Sequence, residues 1–207
     1  MTSHVSCGFD LRVNALLEQK CIPDWDQFLL VPDKRSSMSV DTLVWPEPEG
    51  MNTFIQDDSQ TFWTPLGLAS SLKLLIEGCR KQCLPVANSF PVCVTVTEAV
   101  LAVLVKRFGS GYFDSPQRES DLLLAGWRFL GFDAVALEGL HSGLKGIGFR
   151  EPSWSQLRAQ FGGSLNEVGL FSDGAVAAKF AETRGAEMQS HAPFEVLGLF
   201  VHDPISE

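Results

Sequence analysis

The sequence predicts an α+β fold, a mixed sheet packed with about five helices and no regular βαβ repeat. Three observations lead there. Two runs, Pro91 to Val96 and Phe194 to Val201, are rich in β-branched and aromatic residues at strand length. Several segments carry apolar residues at helical spacing behind recognisable caps. Strands and helices do not alternate in the rhythm that a doubly wound sheet requires.

Taken in order, Val5 to Val13 reads as a strand, followed by a short helical piece around Asn14 to Lys20. Pro23, Pro32 and the polar cluster 34–39 break the chain. Residues 36–60 hold Pro46, Pro48 and Gly50, so they read as loop with a short strand at Thr42–Trp45. Thr64-Pro65 then opens a helix, with Thr as N-cap and Pro at the first helical position, running to about Gln82. Leu68, Leu72, Leu75, Ile76, Cys79 and Cys83 share one face of it. Pro91–Val96 follows as a buried strand.

Thr97 caps a helix from Glu98 to Phe108, which Gly109 closes, and Lys106 and Arg107 sit in its last turn where the dipole favours them. The Gly109-Ser110-Gly111 segment marks a two-lobed division near 109–115 within a single globular domain, 1–207. Ser115-Pro116 opens a further helix that points Leu123, Trp127 and Leu130 inward and stops at Gly131. A strand at Phe132–Leu137, a glycine-rich loop over 139–148, helices at Ser153–Phe161 and from Asp173 to about Glu187, and the strand Phe194–Val201 complete the series. Ser172 is the expected cap of the last helix, and Val176, Ala177 and Phe180 its core face. The last strand suits the middle of a sheet.

Charge is the most specific functional signal. The chain of 207 residues carries 16 basic and 25 acidic residues, a formal net charge of -9. Between Arg35 and Lys73 there is no Lys or Arg, yet Asp41, Glu47, Glu49, Asp57 and Asp58 fall there. After Arg184 the same holds for Glu187, Glu195, Asp203 and Glu207. These acids equal the whole net charge, and the rest of the chain balances. Trp45, Phe54, Phe62 and Trp63 interleave with the first acidic run, as a surface that docks a basic partner requires.

Such a balance argues against nucleic-acid binding, which needs Lys/Arg to displace counterions, and against an anionic membrane surface. No signal peptide or membrane span is evident, because the longest nearly apolar stretch, Pro91 to Val105, is short and interrupted. Five scattered cysteines fit a reducing compartment. The expectation is a cytoplasmic protein.

Catalytic and metal motifs do not stand out. Cys79 and Cys83 lie one helical turn apart, but a zinc site needs two more ligands and no second close Cys or His pair exists, so neither metal nor cofactor is expected. The glycines of residues 143–148 run G-x-x-G-x-G, the wrong order for a dinucleotide fingerprint, and lack the G-K-[ST] of a P-loop. Cys93 reads as buried and inert. Ser142 adjoins His141, though sequence neighbours rarely face each other as a catalytic pair.

In size and charge the chain resembles a bacterial immunity protein, the class that neutralises a basic toxin made by the same cell. That resemblance implies a non-catalytic, acidic, protein-binding inhibitor and brings no residue roles with it. The residues themselves nominate Asp41, Trp45, Glu47, Glu49, Asp57, Asp58 and Trp63 as the partner-binding set, with no catalytic residue. The alternative is a small cytoplasmic enzyme, a hydrolase or transferase whose Cys/His or Ser/His site, using Cys79 or His141, assembles only in the fold. A second copy of the chain is a further candidate partner.

Overall fold

A computed structural model describes residues 3–13, 68–81, 86, 89–113, 116–137, 141–144, 153–190 and 192–205. Among them are five strands, β1 (His4–Val13), β2 (Ser89–Thr97), β3 (Arg128–Ala136), β4 (His141–Ser142) and β5 (Phe194–Val201). The α-helices are α1 (Leu72–Lys81), α2 (Glu98–Phe108), α3 (Glu119–Leu124), α4 (Ser153–Phe161) and α5 (Gly174–Glu187). The strands form one sheet in the order β1-β2-β5-β3-β4. Both pairs of defined register, β1/β2 and β3/β4, are antiparallel. The fold is α+β, with no βαβ rhythm. No described helix is long and apolar enough to cross a membrane.

The chain divides into two compact units. The first gathers Met1–Ala15, Leu43–Phe129 and Phe200–Glu207, the second Leu16–Thr42 and Leu130–Leu199. In the first unit Ser110–Tyr112 forms a single 3-10 turn.

In the first unit β2 is buried on both faces, and Val92, Cys93, Val94 and Val96 are wholly enclosed. Pro91–Val96 is buried at every position, as expected of a buried strand, polar Thr95 included. Thr97 ends the strand and caps α2, its Oγ1 accepting from the backbone N–H of Val100 at 3.2 Å. Gly109 closes that helix at φ 100°, a conformation that side chains with a Cβ avoid. The core gathers Phe9, Leu11, Leu75, Cys79, Cys93, Leu122, Trp127 and Phe200.

Two expectations are corrected here. The helix expected from Thr64-Pro65 begins only at Leu72. Leu68 and Ala69, expected on its first turns, lie outside the helix: Ala69 exchanges both backbone hydrogen bonds with Phe9, each at 2.9 Å. Pairing with β1 holds Ala69 out of the helix, and Ser71 caps α1, its Oγ accepting from Leu74 N–H at 3.2 Å. Leu72, Leu75, Ile76 and Cys79 do face the core as expected, while Cys83 lies outside the described residues.

The helix expected to run from Pro116 to Gly131 is also shorter. It spans Glu119–Leu124, and Leu122 is the residue that points inward. Leu123 is 50% exposed, because the start at Glu119 fixes the face. A turn at Ala125-Gly126 ends the helix and lets Trp127 N–H donate to Leu122 C=O at 3.0 Å. Trp127 is buried, as expected, but beyond the helix, and Leu130 belongs to β3.

The second unit is built on three aromatic rings. Phe161, Phe171 and Phe180 meet pairwise at centroid distances of 5.1–6.4 Å, tilted or edge-on as their quadrupoles prefer. Helix α4 matches expectation, and α5 starts one residue late because Asp173, not Ser172, is its cap. Asp173 Oδ1 accepts from Ala175 N–H at 2.7 Å. Ala177 and Phe180 face the core, whereas Val176 is half-buried.

Candidate functional site

The seven nominated partner-binding residues, Asp41, Trp45, Glu47, Glu49, Asp57, Asp58 and Trp63, all lie outside the described residues. What the fold does define is how that stretch is attached. The chain passes out of the described residues at the end of β1, Val13, and re-enters them at Leu68-Ala69, where Ala69 pairs with Phe9 of the same strand. Four residues of strand separate Phe9 from Val13, on the order of 13 Å at the rise of a β-strand. Val13 and Ala69 are therefore held close together at β1. Gly8 makes that return feasible: a methyl group there would collide with Leu68 Cβ.

Beside this junction the first unit holds a cavity of about 380 Å³. One wall is β1 from Ser6 to Phe9, where the register with β2 slips between Ser6 and Gly8 and leaves Cys7 as the extra residue of a bulge. Such bulges re-aim side chains and often border binding sites. The opposite wall is Ser70, Ser71, Leu72 and Lys73, and the rest comes from Tyr112, Phe113, Pro116, Gln117 and Trp127. Ser6 fastens the bulge, its N–H donating to Gln117 C=O and its Oγ accepting from Gln117 N–H, each at 2.8 Å.

The thiols near this cavity are poor nucleophiles. Burial pushes Cys7 up to about 12, only partly offset by a hydrogen bond from its own backbone. Burial likewise raises Cys93 well above the usual thiol range, and its neighbour Cys7 adds to that. A thiolate is the reactive form, so both side chains stay protonated and inert near neutral pH. Cys79 is also buried. Among the described residues no group of three or more His, Cys, Asp or Glu is placed to hold a metal ion.

In the second unit Ser142, weighed as a nucleophile, has a structural post. Its Oγ donates to Asp133 Oδ1 at 2.8 Å and accepts from Leu144 N–H at 3.1 Å. Gly143, next along, donates to Ala134 C=O at 2.6 Å, and a Cβ there would sit 2.9 Å from that oxygen. Buried Arg184 holds the same turn, its Nε donating to Gly143 C=O at 2.9 Å. Burial lowers the Arg184 guanidinium to about 9, against the opposing effect of Glu187. Gly143 thus serves close backbone packing, and residues 145–148 of the glycine loop lie outside the described residues.

The cavity residues were not legible beforehand. Ser70, Lys73, Tyr112, Gln117 and Trp127 come from four separate stretches, and each alone looks ordinary. The glycine at position 8 and the unpaired Cys7 are the only local traces of the bulge. No protein-family model, curated protein or solved structure matches the chain.

Proposed function

We propose that this chain is a non-catalytic inhibitor of immunity type, which neutralises a basic partner protein, with a toxin enzyme the class of partner it suits best. The observation that carries the reading is the segregation of charge: five acids and no base between Arg35 and Lys73, interleaved with aromatic residues. Acidic side chains at 41, 47, 49, 57 and 58 would raise the encounter rate with a cationic cleft. Trp45 and Trp63 would act as the apolar anchors that hold the complex together. The burial of Cys79 and the structural engagement of Ser142 favour this reading over the enzyme alternative.

The test begins with affinity capture from the native cell and continues with kinetics on the purified pair. Replacing Glu47 and Glu49 by Gln, and Asp57 and Asp58 by Asn, should slow association far more than it speeds dissociation. The wild-type on-rate should fall as salt rises, since the Debye length shrinks from about 10 Å at 0.1 M to about 3 Å at 1 M. Trp45→Ala should act mainly on the off-rate. Unchanged kinetics in the quadruple variant at low salt would reduce the charge pattern to a solubility feature.

A further inference from the structure

We infer that the outer face of α2 is a self-association surface, on which a second copy of this chain packs its own α2 antiparallel about a two-fold axis. The helix packs on β1 and β2. Leu104 is its buried residue, and Leu101 and Phe108, on the same side at helical spacing, are partly buried. The line turned away from the sheet is Ala99, Ala102, Val103 and Lys106, all exposed, Val103 at 62%. The outermost line of a surface helix is ordinarily charged or polar. Here lysine is its single polar residue, so α2 presents apolar side chains to solvent as well as to the core.

The arrangement of that line selects the occupant. Positions 99, 102, 103 and 106 are symmetric about a point between Ala102 and Val103. An antiparallel copy therefore sets Ala102 against the partner's Val103, and Ala99 against the partner's Lys106. The alanines leave room for two helix axes to approach to about 8–10 Å. Glu98 and Lys106 are both exposed and lean to the same flank of the line, while about 12 Å of helix rise keeps them apart within one chain. In the antiparallel pair each Glu98 comes beside the partner's Lys106, so opposite charges close both ends of the contact. Parallel pairing would instead set like charges together. Arg107 falls on the other flank, over the ring of Phe108 at 5.0 Å. One helix per copy makes a small interface, and a net charge of -9 on each copy opposes association, so the dimer is a weak one. The surface is separate from the acidic stretch and does not depend on the inhibitor reading.

The experiment is sedimentation equilibrium of the full chain from about 5 μM to about 1 mM, at about 0.15 M salt to screen the general repulsion. The wild type should pass from monomer to dimer across that range, with a Kd on the order of 0.1 mM. Val103→Glu changes an exposed side chain, so the melting temperature of the dilute protein should hold while the dimer weakens at least about tenfold. Glu98→Lys and Lys106→Glu should each weaken the dimer at least about threefold, and the two together should restore it. Because the two side chains are out of reach within one chain, that rescue can arise only across the interface. The charge series decides the question by itself should Val103→Glu melt lower. A chain still monomeric at about 1 mM, or a dimer indifferent to Val103→Glu, would overturn the surface. A double variant that associates no better than either single one would overturn the antiparallel pairing.

Discussion

At the residue scale, burial governs chemistry. Cys7, Cys79 and Cys93 are enclosed by apolar neighbours, so in the native state they should resist alkylation by iodoacetamide and react only after denaturant is added. Cys79→Ala should leave binding intact at some cost in stability, and rapid labelling of the native protein at Cys79 would contradict that structural role. Glu195 gives a second test. Burial raises its carboxyl pKa in the folded chain above the unfolded value, so stability falls as pH rises through that window. Glu195→Gln should therefore raise the melting temperature at pH 7, and the gain should vanish below roughly pH 4, where both states are protonated. An unchanged melting temperature at pH 7 would show that solvent already screens the charge.

At the scale of elements, what the sequence made legible depended on how local the deciding interaction was. Both ends of α2 were readable because Thr97 and Gly109 act on their own neighbours. The bounds of β5 were readable because its apolar run stops where the strand stops. The start of α1 was not, because Ala69 is claimed by Phe9, a partner far away in sequence. The inward face of α3 was misjudged by one residue for the related reason that its start is set by Arg118 and Asp121 rather than by Pro116. Leu75→Ala should cost about 2–5 kcal/mol, as truncation of a fully buried leucine does. Thr97→Ala should cost about 1 kcal/mol through the lost cap. Chemical denaturation of both variants checks the pair, and a larger loss for Thr97→Ala would mean its side chain does more than cap.

At the scale of the whole molecule, the order β1-β2-β5-β3-β4 places the strand latest in sequence between β2 and β3. Every residue of the charge-bearing stretch is made long before its sheet is complete. A chain ending before Phe194 should expose the flanks of β2 and β3, and limited proteolysis should digest it where the full chain is protected. A protease-resistant truncated chain would show that β5 is dispensable. The consequence reaches into biosynthesis. Until residue 201 has cleared the ribosome the sheet lacks its middle, so the nascent chain carries two unjoined apolar edges, and a chaperone that shields them would be needed most while β5 is still being made.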